Sequence, residues 1–116
     1  MKKLTIVIQD APYGSEKAYN ALRYTSALLT QQVAVNIFLL ADGVGVAKNH
    51  QKTPTGYYNT ADMLHQLIAK GVKVKTCATC CTARGLGQEE LVVGVEIGHM
   101  TDLAQWTKES DSLVTF

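Results

Sequence analysis

The chain alternates two patterns: short, continuous β-branched apolar runs, and longer segments whose apolar residues recur every three or four positions. Leu4-Thr5-Ile6-Val7-Ile8 is a run of the first kind, as a strand covered on both faces must be. Asp10-Ala11-Pro12-Tyr13-Gly14 ends it with turn chemistry. Ser15 then caps a helix over residues 15–31, with Glu16 at its positive end and Ala18, Ala21, Leu22, Thr25, Leu28 and Leu29 as one face. Residues 33–40 repeat the buried-strand pattern, and a long connection over 41–58 follows. A second helix starts at Asn59 or Thr60, turns Ala61, Leu64, Leu67 and Ile68 inward, and stops at Gly71. Residues 72–77 form a third strand, whose lysines suggest an edge or a less buried face. Residues 78–90 hold a short helical piece, and 91–97 reads both as strand and as turn. Thr101 caps a helix carrying Leu103, Ala104 and Trp106, and residues 112–116 close the chain as a strand.

Such alternation implies parallel βαβ units with helices on both faces. The expected fold is α/β: a three-layer, flavodoxin-like domain spanning residues 1–116, with a mainly parallel sheet of four to five strands. For 116 residues and 12.6 kDa, area scaling gives a folded surface of roughly 6,200 Å² against about 18,000 Å² unfolded, enough burial to need no staples. A hydrophobic content of 47% with 18% charged residues excludes long disordered segments. Eleven basic against ten acidic residues leave a net charge of +1, without the broad basic surface of nucleic-acid binding, so no direct nucleic-acid partner is expected. Met1-Lys2-Lys3 resembles a signal-peptide start, but Asp10 and Pro12 interrupt the apolar run behind it, and no stretch approaches a membrane span. Three cysteines in one tight cluster are not a disulfide framework. The expectation is a cytoplasmic protein with reduced thiols.

In parallel sheets, ligands bind beyond the carboxyl ends of the strands. The segments meeting there are 10–15, 41–47 and 77–87, and only the last is dense in reactive groups: Cys77-Ala78-Thr79-Cys80-Cys81-Thr82-Ala83-Arg84-Gly85. If a helical turn follows the third strand, Cys77 stands at its start, with Cys80 and Cys81 three and four positions on. Free amides there favour a thiolate, Arg84 folded back would add positive charge, and Gly85 would end the turn. A thiolate attacks disulfide and persulfide sulfur. One cysteine alone reads best as a small core filler; three within five residues at a strand end read as a reactive site. Around it, Pro12, Tyr13, Gly14, Asp42, Cys81 and Gly85 are the expected pocket. Tyr57 and Tyr58 either join Tyr13 in its wall or serve subunit contacts.

Other chemistries fit less well. Cys77-x-x-Cys80 is half of a zinc pattern, but His50 and His99 are single and distant, and His65 flanks a helix face, so no metal and no cofactor are expected. A thioredoxin-like site usually follows an early strand, whereas this pair follows the third. Asp42-Gly43-Val44-Gly45 lacks the full glycine fingerprint and the lysine of a phosphate loop and reads as a turn. Asp10, Asp42 and Glu96 are available as acids or bases, although surface and capping roles are commoner for each.

Taken together, Ala11-Pro12-Tyr13-Gly14-Ser15-Glu16, Cys77-x-x-Cys80 with Arg84-Gly85, Gly94-Val95-Glu96-Ile97-Gly98 and the ending Asp111-x-Leu113-Val114-Thr115-Phe116 resemble the DsrE/DsrF-like family, in particular its small YchN-like members. The resemblance covers nearly the whole chain. It implies a flavodoxin-like fold assembled as a homo-oligomer, trimer or hexamer. In the sulfur-relay branch it implies a cysteine after the third strand that carries sulfane sulfur as a persulfide between donor and acceptor proteins. That position falls on Cys77, with Arg84-Gly85 at the same spacing; Cys80 is shared with the YchN-like members, and Cys81 is an addition. Three readings follow: a sulfur carrier on Cys77, a thiol–disulfide redox protein using Cys77 and Cys80, or a small-molecule- or metal-binding oligomeric module. Spacing also poses a question. A persulfide on Cys77 would face Cys80 within a helical turn, so either the geometry keeps that thiol away or sulfide release is part of the function.

Overall fold

The computed structural model describes residues 2–116; Met1, the first residue of the basic start, lies outside them. Five strands alternate with four α-helices: β1 (Lys3–Ile8), α1 (Lys17–Thr30), β2 (Ala34–Leu39), α2 (Thr60–Ala69), β3 (Lys73–Cys77), α3 (Ala78–Ala83), β4 (Val95–Gly98), α4 (Met100–Glu109) and β5 (Ser112–Thr115). A 3₁₀ segment, Ala41–Ala47, occupies the start of the long connection after β2. The sheet is parallel throughout, in the order β4-β3-β2-β1-β5.

This order explains the layers. The chain steps in one direction from β1 to β4, then crosses back over the sheet to β5. With right-handed crossovers, the outward steps leave their helices on one face and the return puts α4 on the other. The register places Thr5 beside Asn36 and Val7 beside Phe38 on one face. There Trp106 of α4 meets Phe38 edge-on, with ring centroids 6.1 Å apart, and the Thr5 hydroxyl lies 2.6 Å from that of Ser110. Ile6, Ile8, Ile37 and Leu39 point the other way and are fully buried in a cluster that includes Ala18, Ala21 and Leu22 of α1 and Leu64 of α2. The result is the three-layer, flavodoxin-like α/β architecture expected from the alternation, with a surface of 6401 Å².

Several local expectations shift. Ser15 does not occupy the cap of α1: Glu16 does, outside the first turn and without a side-chain bond, while the Ser15 hydroxyl accepts from the Lys17 amide at 3.2 Å and donates to Asp10 at 2.5 Å. The second helix starts as read, with Asn59 accepting the Asp62 N–H at 3.1 Å, and Gly71 follows its end at φ +98°. The third strand is not an edge, because β4 pairs outside it. Its lysines are tolerated because Lys73 is exposed, whereas Lys75 lies over the Trp106 ring at 5.2 Å and bonds Asp102 at 3.3 Å. The fourth helix begins before Thr101. His99 is its cap residue, and Asp102 accepts the His99 amide at 2.8 Å. That amide and the Lys75 ammonium hold the Asp102 carboxyl below its ordinary pKa. Of residues 91–97, only those from Val95 onward are strand; Leu91 bridges antiparallel to Lys48.

Candidate functional site

Cys77 is the last residue of β3 and the cap of α3. At φ −63° and ψ 122° its backbone is still extended, so its side chain folds over the first turn and Sγ accepts the Cys80 N–H at 3.4 Å. The Thr79 hydroxyl lies 3.3 Å from the same sulfur. Burial, which leaves Cys77 only 6% exposed, pushes the thiol pKa up. Hydrogen bonds from the Cys80 thiol, the Thr79 hydroxyl and both backbone amides outweigh burial and bring the pKa below the ordinary thiol value. Cys77 thereby ionises more readily than an ordinary thiol, toward the thiolate form that attacks sulfur.

Cys80 sits three residues on, half-buried, and accepts the Ala41 N–H at 3.3 Å. Burial and its bond to Cys77 push its pKa up, against the Ala41 amide and the Arg84 charge. The two thiols thus move in opposite directions, Cys77 down and Cys80 up. Ala41 can aim its amide there because it adopts φ +50°, a left-handed conformation that costs an alanine about 1–2 kcal/mol. The same 3₁₀ segment brings Asp42, whose carboxylate accepts Nε of Arg84 at 3.0 Å and Nη2 at 2.9 Å. Arg84 also donates to the Cys80 carbonyl at 3.1 Å. Its charge acts on Cys80, not, as the expected fold-back toward Cys77 would have it, on the first thiol. Gly85 follows at φ +67° and ends the turn. Cys81 faces the core, 1% exposed, with Sγ 3.4 Å from the Thr76 hydroxyl.

The loop after β1 forms a neighbouring group. Tyr13 donates to Gln51 and accepts the Thr60 N–H at 3.1 Å, while Tyr58 donates to the Pro12 carbonyl at 3.5 Å. Tyr13, Tyr57 and Tyr58 pack together, with centroids 4.6 to 6.0 Å apart. Burial, with the Tyr57 bond next, pushes Tyr58 up to about 12. Gly14 has only an ordinary contact in the place of a side chain. Among the described residues, no hydrogen bond joins Pro12, Tyr13 or Gly14 to the thiols. The 3₁₀ segment lies between the two groups: a side chain at Gly45 would come within 3.1 Å of the Pro12 ring. The structure thus brings Cys77, Cys80, Asp42, Arg84 and Gly85 into one cluster, sets Cys81 behind it, and ties Pro12 and Tyr13 to the tyrosines.

Sequence reasoning missed two contributors. Thr79 had a signal in its place two residues after Cys77. The Ala41 amide had none, because nothing in an alanine marks a left-handed turn. The position is also unusual: the strand order reverses between β1 and β5, where a crevice is expected, yet the thiols stand after β3. Among the described residues, no group of three or more His, Cys, Asp or Glu is placed to hold a metal ion, and no helix is long and apolar enough to cross a membrane.

Comparison with known proteins places this geometry in context. The model of the DsrE/DsrF-like family matches residues 2–116. The uncharacterized protein MJ0989 of Methanocaldococcus jannaschii is 46% identical over 114 residues, covering 98% of this chain and 99% of that protein. Protein YchN of Escherichia coli is 43% identical over 118 residues, covering all of both chains, and its crystal structure superposes with a TM-score of 0.93. More distantly, sulfurtransferase TusD of Buchnera aphidicola is 24% identical over 125 residues, covering 97% of this chain and 98% of its own length.

Proposed function

The chain belongs to the DsrE/DsrF-like family, and from that membership together with the state of Cys77 we propose that it is a sulfur-relay protein. Cys77 accepts sulfane sulfur from a donor as a persulfide and passes the terminal sulfur to an acceptor thiolate. The observation that carries the reading is the Cys77 environment: a thiol at the end of β3 whose hydrogen bonds from Cys80 and Thr79 outweigh its burial. A thiolate attacks the donor's sulfane sulfur and keeps it, and the same donors then steady the charge of the persulfide. The family relation to TusD supports this chemistry and the existence of protein partners. Arg84 and Asp42 hold the turn in which Cys80 stands, and Pro12, Tyr13 and Gly14 border the approach. The functional unit is a homo-oligomer built from one domain per chain, working in the cytoplasm.

The test is intact mass after exposure to a sulfane-sulfur donor. The wild type gains about 32 Da that dithiothreitol removes, which separates the adduct from sulfinic acid of about the same mass. Cys77→Ala gains nothing. A reducible adduct persisting on Cys77→Ala would overturn the assignment. A second reading, thiol–disulfide exchange by Cys77 and Cys80, draws on the place of Cys80 in the turn that Cys77 caps, its amide 3.4 Å from the Cys77 sulfur; it requires that the reduced protein lose about 2 Da on mild oxidation.

A further inference from the structure

The sequence leaves open whether the second thiol is kept from a Cys77 persulfide, and the structure contains both arrangements for comparison. Cys81 is placed as a non-participant: its sulfur points into the core against Thr76. Cys80, one residue earlier, is half-buried and reduced, and it stands in the first turn of the helix that Cys77 caps. Its own amide is 3.4 Å from the Cys77 sulfur. The Ala41 amide stands 3.3 Å from Cys80 Sγ, a donor for charge that develops there as the thiol proton leaves. Beyond favouring the Cys77 thiolate, a thiol in this position shares one helical turn with any sulfur that Cys77 carries.

We infer that the chain releases sulfide as well as carrying sulfur: Cys80 resolves the Cys77 persulfide, closing a Cys77–Cys80 disulfide that an external dithiol reopens. This inference rests on the carrier reading. Cys80 sulfur attacks Cys77 Sγ, and the bond from Sγ to the terminal sulfur breaks. The terminal sulfur leaves with the electron pair and takes up the proton that Cys80 gives. The two cysteine sulfurs are oxidised to the disulfide while the sulfane sulfur is reduced to sulfide, so no outside oxidant enters. The dithiol then returns two electrons and two protons by exchange, itself becoming a disulfide. Ala41 serves as a positioning residue, its amide donating to Cys80 Sγ at 3.3 Å and so fixing where that thiol stands.

The experiment uses reduced full-length protein charged with glutathione persulfide and freed of excess reagent. Sulfide is trapped with a bimane and intact mass is followed in time. The wild type is expected to release about one sulfide per charged chain and to end about 2 Da below its reduced mass. Cys80→Ser is expected to keep its reducible adduct at least about tenfold longer, with Cys80→Ala giving the same result where serine disturbs the Ala41 contact. Cys81→Ser is expected to behave as wild type, its tryptic peptide 76–84 carrying a disulfide that joins Cys77 to Cys80. Decay of the Cys80→Ser adduct at the wild-type rate, or loss of release in Cys81→Ser, overturns the release step alone. No adduct on Cys80→Ser, with Cys77 shown by complete alkylation to be free and accessible, overturns the carrier reading and this inference with it.

Discussion

Among single residues, Cys77 and Cys80 make a pair whose pKa values move apart for stated reasons. Burial acts on both in the same direction; what separates them is their opposite influence on each other, with Thr79 and the backbone amides of Cys80 and Thr79 favouring the Cys77 thiolate. A thiol with a lowered folded pKa adds stability once ionised. That contribution is complete above the ordinary thiol pKa and is lost as pH falls through the lowered value. The reactivity follows the same sign. Alkylation of Cys77 by iodoacetamide, read on its tryptic peptide, should stay fast as pH falls below the ordinary thiol range. In Cys80→Ala the donor is gone and the pKa moves back up, so the rate at pH 7 should fall by about three- to tenfold. An unchanged rate in that variant would show that the backbone amide and Thr79 suffice without Cys80.

At the level of elements, the cluster depends on how the 3₁₀ segment Ala41–Ala47 seats against β1. A side chain at Gly43 would stand 2.1 Å from the Ile8 carbonyl oxygen, a backbone atom that cannot yield. Gly85 presents the opposite case, open space within 4 Å but φ +67°. Gly43→Ala should therefore cost about 3 kcal/mol or more in urea unfolding. It should also expose Cys80 to alkylation, because Ala41 and Asp42 move with the segment. Gly85→Ala should cost about 1–2 kcal/mol, the strain of a left-handed alanine alone. Equal losses in the two variants would refute the steric role of Gly43. The sequence makes the strand–helix alternation, the inner faces of α1 and α2, and the cysteine turn legible, since each rests on local periodicity or spacing. It hides what depends on distant partners. The lysines of β3 look like an edge until Trp106 and Asp102 arrive from α4 to receive Lys75. The start of α4 at Met100 rests on Asp102 reaching back to the His99 amide, and Gly43 looks like any turn glycine until β1 is beside it.

For the whole molecule, the strand order leaves β4 and β5 as the two edges. Edge strands offer unpaired backbone groups, and soluble proteins cover or charge them. Here the β4 strand carries one charge, the exposed Glu96, among exposed apolar groups. Ile97 is 37% exposed, and Val93 and Met100, which bracket the strand, are 80% and 60% exposed. Net charge is only +1, so electrostatic repulsion does little to oppose contact. The β5 edge carries Leu113 at 39% exposure, but Ser112 and Thr115 beside it are polar. The β4 side is thus the stronger candidate for joining copies of the chain, and it adjoins the site, because Cys77 pairs with Gly98 across β3 and β4. Native mass spectrometry at micromolar concentration should give a multiple of 12.6 kDa. Ile97→Lys with Met100→Lys should shift the population to single chains while circular dichroism stays unchanged, since both side chains face solvent in the isolated chain; Leu113→Lys should leave the assembly intact. A wild type of single-chain mass would remove the homo-oligomer from the proposed function. Dissociation by Leu113→Lys in place of the double variant would move the interface to β5, away from the thiols.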